Sequence, residues 1–193
     1  MIAYRIALAL IGPILRLIYR VKIIGRENIP EGPVVVCANH TSLSDPFFIC
    51  IAFGKRPMRF MVKKELITVP IIGAFLRGIK AIPVNRGSVD MSTMRSAIDA
   101  LSDGEKVMIF PEGTRVHGEA DAAAAKTGAA MIACRAKVDM LPVYVSGDKH
   151  LFKPVKVVIG KPQSTDSSEK GSAKYKSIVE NVFGEIIRLG GEN

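Results

Sequence analysis

The sequence predicts a single α/β domain, with a mostly parallel or mixed central sheet wrapped by helices and an amphipathic helix in front. Three observations carry this prediction. Short continuous apolar runs, clearest at Val34-Val35-Val36-Cys37-Ala38, read as strands covered on both faces. These runs alternate with longer segments of helical periodicity, the pattern of a sheet sandwiched between helices. At 193 residues and 48% hydrophobic content, the chain can bury one core without disulfides or a structural metal.

Residues 2–24 are mostly apolar, interrupted by Arg5, Arg16 and Arg20. On a helix these three arginines fall within about 60° of one another and form one stripe. Gly12-Pro13 predicts a kink. The run is too broken by charge for a membrane span, which takes about 20 nearly uncharged residues. It also lacks the small-residue cleavage site of a signal peptide. Its pattern fits a membrane-interface helix over residues 1–20, with arginines toward lipid phosphate. Packing on the domain's own core is the alternative, and the two are compatible on different faces. Residues 21–193 form the expected domain.

Within that domain Lys22-Ile23-Ile24-Gly25 reads as a short edge strand and residues 28–33 as a turn-rich loop. Val34 to Ala38 is the first buried strand, and Pro46 to Phe53 a helix ending near Gly54. A strand is predicted from Arg59 to Val62 and a short helix from Pro70 to Arg77. Ile79 to Val84 reads as a strand broken near Pro83. Ser92 to Leu101 reads as a helix closed by Asp103-Gly104, and Lys106 to Phe110 as a strand. Lys126 to Ala136 is a helix rich in small residues. Leu141 to Val145 and Val155 to Gly160 are further strands, followed by a polar linker and an amphipathic helix from Ala173 to Leu189.

The formal charge of +9 is one-sided: residues 1–95 hold 14 Lys/Arg against 5 Asp/Glu, and residues 96–193 hold 13 against 13. Such a field faces a polyanion, either nucleic acid or an anionic membrane surface. The basic half is also the more apolar half. No DNA- or RNA-binding motif is present, and basic residues are not interleaved with exposed aromatics. The expected partner is therefore lipid, with no nucleic acid. Lys55-Arg56-Pro57-Met58-Arg59 and Lys63-Lys64 are the stretches expected to face headgroups. Ile71-Ile72-x-x-Phe75-Leu76 reads as ordinary core, with acyl-chain lining as the alternative. Cys37, Cys50 and Cys134 sit far apart in apolar surroundings, the pattern of buried free thiols. His117 and His150 lie in polar stretches, and no metal-ligand cluster is visible.

Chemistry concentrates in two short blocks. Asn39-His40-Thr41-Ser42-Leu43-Ser44-Asp45 follows the first buried strand, and Phe110-Pro111-Glu112-Gly113-Thr114-Arg115 follows Lys106 to Ile109. Strand ends are where open α/β sheets bind ligands. Neutral imidazole accepts a proton near pH 7, and a carboxylate on its other nitrogen fixes the tautomer. His40 and Asp45 are spaced for such a dyad if the chain turns from loop into helix between them. The competing reading makes Asp45-Pro46 a plain helix start, with Asp45 as N-cap. Ser42 and Ser44 allow a serine hydrolase, but there is no Gly-x-Ser-x-Gly elbow. The Glu-Gly-Thr-Arg turn can hold an anion.

Taken together, Asn39-His40-x-x-x-x-Asp45 and Phe110-Pro111-Glu112-Gly113-Thr114-Arg115 resemble the glycerolipid acyltransferases, in particular the 1-acyl-sn-glycerol-3-phosphate (lysophosphatidate) acyltransferases. Gly78 to Gly87 looks like that family's second motif and Leu141-Pro142-Val143-Tyr144 like its fourth. The resemblance implies transfer of an acyl group from acyl-CoA or acyl carrier protein to the sn-2 hydroxyl of lysophosphatidate. It implies His40 as general base, Asp45 as its orienter, and no acyl-enzyme. Arg86 and Arg115 would grip the acceptor phosphate, with Lys126 a further candidate. Glu112 would hydrogen-bond the glycerol or hold a basic partner, and Gly113 would admit close backbone approach. Thr114 completes the set. No cofactor is expected beyond the thioester co-substrate. The expected location is peripheral or monotopic, at the cytoplasmic face of the cell membrane. Alternatives are the same chemistry on glycerol-3-phosphate or another lysolipid, or a non-catalytic basic membrane-binding module.

Overall fold

The structure, a computed structural model, describes residues 2–85, 91–116, 125–146 and 149–191. Seven strands form one sheet: β1 (Lys22–Ile24), β2 (Val35–Ala38), β3 (Met58–Lys63), β4 (Ile82–Val84), β5 (Lys106–Ile109), β6 (Met140–Val145) and β7 (Lys156–Ile159). Their order is β1-β7-β6-β2-β5-β3-β4. Strands β2 to β6 are mutually parallel. β7 runs antiparallel to β6, and β1 pairs parallel with β7. The sheet is therefore mixed, with its two reversed strands at one edge.

Seven α-helices among the described residues cover it: α1 (Ile2–Tyr19), α2 (Asp45–Phe53), α3 (Lys64–Thr68), α4 (Pro70–Gly78), α5 (Met91–Ser102), α6 (Gly128–Ala136) and α7 (Gly171–Gly191). The strand period of two divides the core between the faces. Val36 and Ala38 of β2, with Val34 just before it, pack with Tyr4 of α1, Phe48 of α2 and Leu76 of α4. Val35 and Cys37 point the other way, into Ala97 of α5, Ile132 of α6 and Phe183 of α7. Because both faces are covered, the β2 residues are all buried, as the unbroken apolar run requires. α7 shows the complementary helical signature, burying Ile178, Val179, Val182, Phe183, Ile186 and Leu189 along one stripe.

Several expectations need correction. α1 runs through Pro13 as one helix and ends at Tyr19, so Arg20 is not on the arginine stripe. Arg20 instead adopts φ 41° and donates from Nη2 to the Phe152 carbonyl at 3.0 Å. The inner face of α1 packs through Tyr4, Leu8, Leu15 and Tyr19. Its outer face leaves Leu10 at 66% and Leu17 at 82% exposure. α3 was not anticipated, because five residues are too short to show a period. β4 is only three residues long and contains Pro83, which an edge strand tolerates. α6 starts at Gly128 rather than Lys126, and the Lys126 amide donates to the Pro111 carbonyl at 2.9 Å.

The four hydrophobics of α4 divide. Leu76 is buried, whereas Ile71 is 87% exposed and Ile72 also lies outside the core. The basic stretch after α2 is partly neutralised internally. Arg56 pairs with Glu31 at 2.8 Å, Arg59 with Glu105, and Lys63 with Glu65 at 3.4 Å. Gly25 closes β1 with φ 75°, and a side chain there would strike the Ile159 carbonyl. The three cysteines are free. Burial raises the Cys37 thiol and pushes Cys50 up to about 12.

Candidate active site

The two blocks meet because their strands are neighbours. Cys37 of β2 lies opposite Ile109 of β5 in a parallel register, so both chains leave the sheet at the same edge, side by side. Two bonds then tie the loops together. The His40 amide donates to Glu112 Oε2 at 2.7 Å, and the Val116 amide donates to the His40 carbonyl at 2.9 Å. A third tie runs to β6: Asn39 donates from Nδ2 to the Val145 carbonyl at 2.9 Å and accepts the Val145 amide on Oδ1 at 2.8 Å. Residue 40 is thus held by strands on both sides of β2.

Between Asn39 and α2 the chain wraps around one carboxylate. Asp45 is fully buried at the first turn of α2, where Pro46 supplies a preset φ. Ser44, not Asp45, is the boundary residue, and its hydroxyl does not cap the helix. Asp45 Oδ2 faces back into the loop. It accepts the Thr41 amide at 2.8 Å and the Ser42 amide at 2.7 Å, and lies 3.0 Å from His40 Nδ1. The N-cap reading therefore fails: Asp45 opens α2 without capping it, and its carboxylate serves the loop and His40. Burial pushes the Asp45 carboxyl up, but the contacts with His40, the Lys149 ammonium and the Ser42 amide outweigh this and hold it below the usual carboxylate range.

The His40 side chain is 12% exposed, and its ring stacks on Phe110 with centroids 4.0 Å apart and planes 18° from parallel. With Nδ1–H directed at the carboxylate, Nε2 carries the lone pair that can accept a proton. Ring rotation is opposed on one edge by Asp45 and across one face by Phe110.

Glu112 is buried and spends an oxygen on the His40 amide rather than on a basic side chain. Burial raises its carboxyl above the ordinary value, against the lowering effect of that amide. Gly113 adopts φ 70°, and the group that approaches it is Lys126: a Cβ at 113 would lie 2.9 Å from Lys126 Nζ. Thr114 and Arg115 are exposed beside it, and Arg115 has no ion-pair partner among the described residues. Arg86 and His117 lie outside the described residues. The structure therefore brings His40, Asp45, Glu112, Gly113 and Lys126 together, with Thr114 and Arg115 on the same loop. No group of three His, Cys, Asp or Glu side chains among the described residues is placed to hold a metal.

Three residues at this site carried no assignment from sequence. Asn39 and Phe110 are immediate neighbours of the recognised positions, and their contacts arise only once β2, β5 and β6 pair. Lys149 is the third. Its Nζ lies 2.7 Å from Asp45 Oδ1 and 2.6 Å from Thr41 Oγ1, with the side chain only 7% exposed.

A three-layer fold that sets a His-Asp pair beside a Glu-Gly-Thr-Arg loop places a base candidate next to an anion-holding turn. The acyltransferase family model matches residues 20–146, about two thirds of the sequence, and the chain belongs to that family. Within it, several similar proteins carry one name. A 1-acyl-sn-glycerol-3-phosphate acyltransferase of Bacillus subtilis is 34% identical over 148 residues, covering 74% of this chain and 73% of its own length. One from Chlamydomonas reinhardtii is 38% identical over 186 residues, covering 88% of this chain but 55% of that longer protein. The crystal structure of the 1-acyl-sn-glycerophosphate acyltransferase PlsC from Thermotoga maritima superposes with a TM-score of 0.69 at 28% identity, over 89% of this chain and 71% of that one.

Proposed function

We propose that this chain transfers a fatty acyl group from a thioester, acyl-CoA or acyl carrier protein, to the sn-2 hydroxyl of 1-acyl-sn-glycerol-3-phosphate, giving phosphatidic acid. The single observation that carries the mechanism is the 3.0 Å contact of His40 Nδ1 with the buried Asp45 carboxylate, in a chain whose relatives bear that enzyme's name. His40 Nε2 takes the hydroxyl proton as the oxygen attacks the thioester carbonyl. The C–O bond forms, the tetrahedral centre collapses, and the C–S bond breaks. The departing sulfur receives the proton from the imidazolium and leaves as a thiol. Asp45 stabilises the imidazolium in between. No acyl-enzyme is needed, because the acceptor oxygen is itself the nucleophile.

Arg115 and Arg86, with Lys126 beside Gly113, grip the acceptor phosphate. The exposure of Arg115, which has no ion-pair partner among the described residues, and the lysine over the glycine turn support this reading. The acceptor lives in a bilayer, so the enzyme works as a peripheral or monotopic protein at the cytoplasmic face. Support comes from the exposed apolar outer face of α1 and from Ile71 of α4, which packs beside α1. No helix among the described residues is long and apolar enough to cross a membrane.

The test is a thiol-release assay with acyl-CoA and acyl carrier protein across a panel of lysolipids. His40→Ala should lower transfer to lysophosphatidate by about 10²–10⁴-fold, the usual range for a lost general base. An unchanged rate would remove His40 from the mechanism. Arg115→Ala should raise KM at least about tenfold for phosphate-bearing acceptors and leave uncharged acceptors unaffected, about the worth of one charge-assisted contact. An equal loss on both would assign Arg115 to folding instead.

A further inference from the structure

Lys149 belongs to neither loop block, yet it is the most deeply placed cation at the site. We propose that Lys149 is a positioning residue for the His40-Asp45 pair: its ammonium locks the carboxylate in the orientation His40 needs and offsets part of its negative charge. The proposal rests on the reading of His40 as the general base.

Consider the carboxylate first. Oδ2 is occupied by His40 Nδ1 and the amides of Thr41 and Ser42. Oδ1 receives no well-aligned hydrogen bond, and its contact is the ionic one with Lys149 Nζ at 2.7 Å. A carboxylate fixed at both oxygens cannot swing about its bond to Cβ, so Oδ2 stays on the imidazole. Lys149 also bonds Thr41 Oγ1 at 2.6 Å, while the Thr41 amide bonds Oδ2. The ammonium thus closes a ring that includes the loop itself. A lysine this buried is costly unless paired. Exposed lysines elsewhere in the chain show that the fold has cheaper places for one.

Charge gives the lysine a second effect. A bare Asp45 carboxylate favours the protonated imidazole, whereas a cation on its far oxygen weakens that attraction. The charged groups around His40 among the described residues are Asp45 from α2, Glu112 from the loop after β5, Lys126 over Gly113 on that loop, and Lys149 from the segment after β6. Glu112 meets the His40 backbone rather than its ring. Lys149 is therefore the cation in direct contact with the dyad.

The experiment measures kcat/KM against pH for wild type, Lys149→Gln, Lys149→Arg and His40→Ala, alongside NMR titration of the His40 ring. Glutamine keeps a polar group for Thr41 but removes the charge. Its acid limb and its ring titration should both move up by about one pH unit, a tenfold loss at pH values below the limb. KM for lysophosphatidate should stay unchanged. Lys149→Arg should restore the wild-type limb. Superposable profiles and ring titrations for wild type and Lys149→Gln would overturn the proposal. Wild-type transfer that survives His40→Ala would sink the base reading instead, while the NMR shift would still decide whether Lys149 acts on the ring. Should Lys149→Gln fail to fold while Asp45→Asn/Lys149→Gln folds, Lys149 is a structural counter-ion only, and the positioning role falls.

Discussion

A single buried carboxylate organises the residues at the site. Asp45 gathers two loop amides, an imidazole and an ammonium, and each contact favours its ionised form over the neutral acid. Its folded-state proton affinity lies below the usual value, so its contribution to stability is fully present above about pH 4 and lost as pH falls through the lower folded value. Glu112 works in the opposite sense, because burial raises its carboxyl. Urea unfolding should therefore lose free energy more steeply below about pH 4 in wild type than in Asp45→Asn. Equal slopes for the two proteins would mean that the carboxylate is not held as described. The His40-Asp45 contact was legible only through the two motif blocks together, because the five-residue spacing by itself left a plain helix start open. Phe110, Asn39 and Lys149 were not, because each acts across strands separated by roughly 70 to 110 residues of chain. A lysine in Ser146-Gly147-Asp148-Lys149-His150 carries no local sign of burial.

Elements show the same division between local and long-range information. Strands β2 and β5 could be read directly, since continuous apolar runs have few alternatives when bounded by turns. Helix α1 was legible as amphipathic, but its stripe was not, because Arg20 lies beyond the helix end. The helix uses both faces: one packs on α2, with Tyr19 edge-on to Phe48 at 5.3 Å, and the other is apolar and open. Burying one such leucine in lipid contributes about 1.5–3 kcal/mol. Leu10→Asp or Leu17→Asp should weaken cosedimentation with phosphatidylglycerol vesicles by about tenfold or more while leaving the thermal midpoint near wild type. Retained vesicle binding in both variants would move the lipid contact elsewhere. The α4 pair Ile71-Ile72 was misread as core because helical spacing alone does not say which face meets the sheet.

For the molecule as a whole, strand order explains why the candidate site lies past the ends of the central strands. β2 sits between β5 and β6, so the loop bearing His40 has a parallel neighbour on either side. The fold class could be predicted from alternation, but the central place of β2 could not, since nothing local to the strand specifies its partners. The Asn39 amide pair with Val145 has a consequence for biogenesis. The imidazole leaves the ribosome about a hundred residues ahead of the strand that steadies it. A nascent chain therefore carries an unaligned histidine until that strand has been made. The contacts that fix residue 40 are complete only once the sheet has closed.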